Sequence, residues 1–203
     1  MGTVVKEVEQ TLAKLGAVIT NSHVVYTSGL HGPAYVNKDA IYPHTAAISR
    51  LAGLIAFKFV DYNPEVVIAP AVGGCILSNR VAEHLSMMLG YEVLGVYVDK
   101  LDDGNFVIKR GYDKMVRGKK VLVVEDVLTT GSSVKKVITA ARIAGGHVIG
   151  VGAICNRGNV EEKDVGGVPI LEALLNVKLD AYEEANCPLC KKGVPINTDV
   201  GKE

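Results

Sequence analysis

Apolar residues along this chain recur at two alternating periods, and the alternation predicts its elements. Val121-Leu122-Val123-Val124 is a short unbroken run rich in β-branched residues, the pattern of a strand buried on both faces of a parallel sheet. Downstream, Val134, Val137, Ile138 and Ala141 recur at i, i+3, i+4 and i+7, which predicts an amphipathic helix. Val4 to Leu15 predicts an opening helix, and Val18 to Asn37 short strands broken by Ser28-Gly29 and Gly32-Pro33. Ile48, Leu51, Ala52, Ile55 and Phe59 mark a helix face that Asn63-Pro64 closes, launching a strand over Glu65 to Ala69. Leu77, Val81, Leu85 and Met88 give the next helix. Glu92 to Val98 and His147 to Cys155 give further strands. Beyond Arg157 the pattern weakens into Gly166-Gly167, a short apolar segment Val168 to Val177 and a tail. Strands alternating with helices predict an α/β protein with a parallel central sheet.

Composition narrows this picture without identifying it. A chain of 203 residues, 48% hydrophobic, buries a substantial core and is expected to be one domain. Lys plus Arg and Asp plus Glu each number 22, and this balance argues against non-specific nucleic-acid binding. No leader pattern is read at the N-terminus and no apolar run reaches the roughly 18 residues of a membrane span, so the expected compartment is the cytoplasm.

The chemistry concentrates after the Val121 strand. Glu125 and Asp126 fall at its carboxyl end, the edge where open α/β sheets bind ligands. Thr129-Thr130-Gly131-Ser132-Ser133 then supplies hydroxyls and a glycine just before the predicted helix, whose N-terminus favours an anion. Two carboxylates beside an anion site suit a sugar diol and a hard cation such as magnesium, because ionised carboxylates only accept hydrogen bonds.

VLVVEDVLTTGSS, residues 121–133, resembles the 5-phosphoribosyl 1-diphosphate binding motif of the type I phosphoribosyltransferases. The resemblance implies that family's fold: an α/β domain with a central parallel sheet flanked by helices and a small hood. The core would span 41–164, with the hood formed by roughly 1–40 and 165–203. It also implies that Glu125 and Asp126 hold the ribose hydroxyls. Thr129, Thr130, Gly131, Ser132 and Ser133 would wrap the 5-phosphate, with Val127 and Leu128 counted among the residues that bind the diphosphate donor. Ala71-Val72-Gly73-Gly74, another strand-to-helix loop, falls where the family's pyrophosphate loop belongs. Gly73 stands where many orotate phosphoribosyltransferases place a lysine.

The segment from Tyr26 to Asn37 resembles the hood of the orotate phosphoribosyltransferases, which closes over the base. Thr27, Ser28, Tyr35, Thr129 and Arg157 are the base-binding candidates. Arg157 follows a buried strand at the same sheet edge, and a guanidinium grips a planar carboxylate such as orotate's bidentately. Thr27 stands where the family commonly has lysine. Between Val98 and Lys119 the chain lacks the family's loop histidine but offers Lys100, Lys109 and Arg110, which can neutralise pyrophosphate; a solvated basic face reads the same way. Lys100 joins Glu125 and Asp126 as a catalytic candidate. This segment and the C-terminal CPLC resemble a subgroup of orotate enzymes.

Cys75 and Cys155 sit in apolar contexts and are expected to be inert. Cys187 and Cys190 form a CxxC pair that supplies two of the four ligands a structural zinc needs. The favoured reading is a turn with free thiols, with a shared metal or a redox pair as alternatives. No metal held by protein alone is expected at the ribose site, where Mg2+ would be carried mainly by substrate with Glu125 and Asp126 nearby.

The expected activity is transfer of phosphoribosyl from the diphosphate donor to orotate, a step of pyrimidine (UMP) synthesis, by a homodimer that binds neither nucleic acid nor membrane. The rivals are a phosphoribosyltransferase for another base such as a purine, and a non-catalytic sensor of the donor.

Overall fold

In the computed structural model, which describes residues 2–26, 29–177 and 180–199, the chain opens on helix α1 (Gly2–Lys14). Four two-residue strands follow: β1 (Val18–Ile19), β2 (Val24–Val25), β3 (His31–Gly32) and β4 (Tyr35–Val36). They pair antiparallel as two small ribbons, β1 with β4 and β2 with β3, and form the hood.

Helix α2 (Thr45–Phe59), β5 (Val66–Pro70), α3 (Gly73–Leu89), β6 (Leu94–Lys100), β7 (Phe106–Val107), α4 (Tyr112–Val116), β8 (Lys120–Leu128), α5 (Ser132–Ile143), β9 (His147–Asn156) and β10 (Leu171–Asn176) build the core. A four-residue helix, α6 (Pro188–Lys191), lies in the tail. The six-stranded central sheet has the order β10-β9-β8-β5-β6-β7, parallel except for β7. From β5 the chain crosses first to β6 on one side, then returns to β8 on the other. The carboxyl ends of β5 and β8 therefore flank a topological switch point, the crevice where such sheets bind ligands.

The pleat sorts the core into two layers. Val67 and Ala69 of β5 and Leu122 and Val124 of β8 pack with α1, α2 and α3, whereas Val66, Ile68, Val121 and Val123 pack with α5. Every residue of β5 is buried, which explains its continuous apolar run. Among the described residues, no helix is long and apolar enough to cross a membrane.

Two boundaries differ from the sequence reading. β8 continues four residues past Val124, because β9 pairs along it to Leu128 and Asn156, so Glu125 and Asp126 lie within the strand. β5 stops pairing β8 at Ile68 and Val123, which leaves that flank of β8 open to the crevice. The apolar segment Val168 to Val177 contains β10, a parallel edge strand whose periodicity is too short to separate from a loop; the tail rejoins the hood only beyond it. Cys155 is buried, and burial pushes its thiol up to about 11, whereas Cys75 is partly exposed in the first turn of α3 rather than in the core.

Candidate active site

Because successive strand residues face opposite ways, Glu125 continues the Val121 and Val123 face while Asp126 continues that of Leu122 and Val124. One carboxylate thus turns toward the loop before α5 and the other toward the elements that precede β5. Asp126 is 3% exposed. Its Oδ1 accepts from the Val127 N–H at 2.7 Å, its Oδ2 accepts from the Tyr42 hydroxyl at 2.8 Å, and Lys38 Nζ stands 3.6 Å from Oδ2. Burial, and then the neighbouring charge of Asp126, push the Glu125 carboxyl up to about 8. The Asp126 carboxylate in turn raises Lys38, and burial followed by Asp126 raises Tyr42 far above an ordinary phenol. Two carboxyl groups side by side at a buried strand end are suited to receive hydroxyl donors and a cation.

The loop after β8 is shaped as an anion cradle. Gly131, left-handed at φ 72°, precedes α5, whose first-turn N–H groups lack intrahelical partners. Glu125, Val127 to Ser133 and Val134 line a cavity of about 100 Å³. It adjoins a second cavity of about 210 Å³ lined by Tyr35, Lys38, Glu125, Asp126, Thr129 and Arg157, among others. The two share the carboxylate edge of β8.

Arg157 follows β9 directly, held by its N–H to Leu128 O at 2.9 Å. Its Nε donates to Thr129 Oγ1 at 3.0 Å, and its guanidinium lies 5.6 Å from the Tyr26 ring centroid and 6.0 Å from that of Tyr35. The close approach depends on Gly158, where a Cβ would stand 1.5 Å from the Thr129 carbonyl oxygen. Tyr26 is buried and its hydroxyl donates to Ala34 O at 2.8 Å, which fixes the hood over this end. Thr27 and Ser28 lie outside the described residues.

At the end of β5, Ala71 donates its N–H to Val98 O at 2.9 Å, Val72 is 85% exposed, and Gly73 and Gly74 open α3. Gly73 lies against Tyr42: a Cβ there would come within 2.9 Å of the ring. The same tyrosine therefore touches this loop and Asp126. Lys100 ends β6 at the same sheet edge, while Lys109 and Arg110 follow β7; Arg110 pairs with Asp99 at 3.6 Å and stands 5.6 Å over Tyr97. None of these three cations lines either cavity.

The structure thus brings together Glu125, Asp126, the 127–133 loop, Tyr35 and Arg157, with the 71–74 loop joined through Tyr42. Lys38 and Tyr42 were missed in the sequence. Both lie more than 80 residues before Asp126 with no motif around them, and Tyr42 is marked only by its place against Gly73.

A model of the phosphoribosyl transferase domain matches residues 37–172. The chain belongs to the phosphoribosyltransferase family. This phosphoribosyltransferase is 37% identical over 179 residues to the orotate phosphoribosyltransferase of Caldanaerobacter subterraneus subsp. tengcongensis, covering 88% of each chain. It is 35% identical over 190 residues to that of Thermus thermophilus, covering 94% of this chain and 98% of the relative. Among solved structures it resembles a phosphoribosyltransferase from Corynebacterium diphtheriae, at 26% identity and TM-score 0.64, over 86% of this chain and 96% of the other. It shares the fold of the Mycobacterium tuberculosis orotate phosphoribosyltransferase in complex with 5-phospho-alpha-D-ribosyl 1-diphosphate, at 22% identity and TM-score 0.64, over 86% and 96% of the two chains.

Proposed function

We propose that this phosphoribosyltransferase transfers the 5-phosphoribosyl group from phosphoribosyl diphosphate to orotate, giving orotidine 5-phosphate and pyrophosphate. The observation that carries the choice of base is Arg157, whose guanidinium lies 5.6 and 6.0 Å from the ring centroids of two hood tyrosines and lines the cavity that Asp126 also lines. Orotate offers it a carboxylate; adenine and hypoxanthine offer none. The full-length likeness to named orotate phosphoribosyltransferases supports the same base.

In this reading the first turn of α5 and the hydroxyls of Thr129 to Ser133 take the 5-phosphate, Glu125 and Asp126 accept from the ribose hydroxyls, and the Ala71 to Gly74 loop receives the pyrophosphate. Lys38, beside Asp126, adds positive charge on the hood side. The carboxylates supply hard oxygen donors of the kind magnesium takes, so Glu125 and Asp126 would hold the ion or its waters. Magnesium, carried mainly by the donor with Glu125 and Asp126 nearby, would supply positive charge that offsets the charge of the leaving pyrophosphate. A ring nitrogen of orotate, giving up its proton to the departing pyrophosphate or to water, forms a bond to the anomeric carbon as the bond to pyrophosphate breaks, with positive charge building on the ribose ring. Asp126, fixed by Tyr42 and the Val127 N–H, is placed to stabilise that charge without reorganising. Lys100, Lys109 and Arg110, outside both cavities that carry the carboxylate pair, are assigned to pyrophosphate across a homodimer interface.

A panel of bases assayed for pyrophosphate release tests the proposal. Orotate alone is expected to support turnover, and release with a purine but not orotate contradicts it.

A further inference from the structure

The tail carries a second cluster of chemistry, remote in sequence from the phosphoribosyl site. Cys187 and Cys190 meet His23 and His31 of the hood. One ligand atom from each lies within 4.8 Å of every other. Cys190 Sγ is 3.5 Å from His23 Nε2 and 3.3 Å from His31 Nδ1, Cys187 Sγ is 3.7 Å from His23 Nε2, and the two ring nitrogens are 2.9 Å apart. A tetrahedral zinc with Zn–S near 2.3 Å and Zn–N near 2.0–2.1 Å separates sulfur from nitrogen by about 3.6 Å and nitrogen from nitrogen by about 3.3 Å. The observed edges follow that pattern, with the nitrogen pair somewhat closer.

Tautomer chemistry points the same way. His23 Nδ1 lies 2.7 Å from Val194 O, and a carbonyl only accepts, so Nδ1 carries the hydrogen and Nε2 is the ring nitrogen left to face the cluster. That contact is the outer-shell carbonyl which commonly orients a metal-bound histidine. His23, His31 and Cys187 are buried, and both thiols are free. Two imidazole nitrogens and two cysteine sulfurs this close together are a donor set that suits a four-coordinate zinc. The CxxC pair, taken alone, is two ligands short; the missing two come from the hood.

We propose that His23, His31, Cys187 and Cys190 bind one structural zinc ion that clasps the C-terminal tail to the hood. Among the described residues the attachment also runs through individual hydrogen bonds: His31 and Tyr182 exchange N–H to O bonds at 2.8 Å, Asn197 donates its N–H to His23 O at 2.7 Å and its Nδ2 to Ser22 Oγ at 3.2 Å, and the Tyr26 hydroxyl lies 3.4 Å from Asp180 O. The ion closes a loop of more than 150 residues between His31 and Cys187, the geometry in which a cross-link most restricts the unfolded chain. It also fixes the ribbon of β2 and β3, whose connecting turn begins at Tyr26 beside Arg157. The clasp therefore positions the hood from outside the active site.

Elemental analysis of the full chain, purified without chelator, is expected to find about one zinc per chain, as a closed four-ligand site takes. Cys190→Ser and His31→Ala are each expected to lose it, while Cys75→Ser keeps it. Replacement by cobalt(II) is expected to give the thiolate charge-transfer and tetrahedral ligand-field bands of an N2S2 site, and chelation to lower the melting temperature reversibly. These readouts are independent of which base the enzyme uses. Metal-free protein that neither takes up zinc nor gains those bands with cobalt overturns the proposal, as does a Cys187–Cys190 disulfide found by mass analysis.

Discussion

The Tyr42 hydroxyl donates a 2.8 Å hydrogen bond to Asp126 Oδ2. It ties the residue assigned to the ribose to the segment that follows the hood. A hydrogen bond to a charged group is worth about 1.5–3 kcal/mol, so Tyr42→Phe is expected to lower kcat about 10- to 100-fold while the ring keeps its packing and the fold. Asp126→Asn, isosteric and within β8, is expected to abolish turnover in a folded protein. Steady-state kinetics with circular dichroism checks both; full activity in Asp126→Asn removes it from the mechanism.

Tyr42 also constrains the pyrophosphate loop. A side chain at Gly73 must displace the Tyr42 ring, since its Cβ would lie 2.9 Å away. Gly73→Ala is expected to lose activity largely by disturbing the bond to Asp126, so its effect and that of Tyr42→Phe should not add. A double-mutant cycle with strictly additive losses would separate the two positions.

Glu125 makes stability depend on pH. Its folded-state pKa is raised from 4.5 to about 8, chiefly by burial, so its neutral form is favoured in the fold. The stabilisation is complete below about 4.5 and is lost as pH rises through about 8. Glu125→Gln does not titrate. Its melting temperature relative to wild type is expected to climb between pH 4.5 and 8 and then level off; a gap constant across that window contradicts the assignment.

Arg157→Ala is expected to raise KM for orotate about 10- to 100-fold, the worth of a charge-assisted contact, with a much smaller change for phosphoribosyl diphosphate. Because Arg157 Nε also donates to Thr129 Oγ1, Arg157→Lys, which cannot reproduce the planar fork, should restore little. Equal changes for both substrates would place Arg157 at the phosphate instead.

The parts of this site legible in the sequence are those built from contiguous residues. The Val121 strand, the acidic pair and the small-residue loop lie side by side, so one motif holds carboxylates, anion cradle and helix start together. Arg157 was legible because a buried strand ends just before it. Lys38 and Tyr42 were not, since their approach to Asp126 depends on how the hood folds over β8, and no local periodicity encodes that. The Cys187 pair shows half its partners in the sequence for the same reason: His23 and His31 reach it through tail-to-hood contacts such as the bridge of His31 to Tyr182 and the bond from Asn197 N–H to His23 O, which no local pattern encodes. β10 escaped because an edge strand six residues long carries little periodic signal.

The most direct test of the account follows orotate absorbance with purified enzyme, phosphoribosyl diphosphate and magnesium. The account predicts a decay that requires all three components, vanishes in Asp126→Asn and slows in Arg157→Ala at low orotate. An unchanged orotate signal, under conditions where the same enzyme releases pyrophosphate with a purine base, would contradict it.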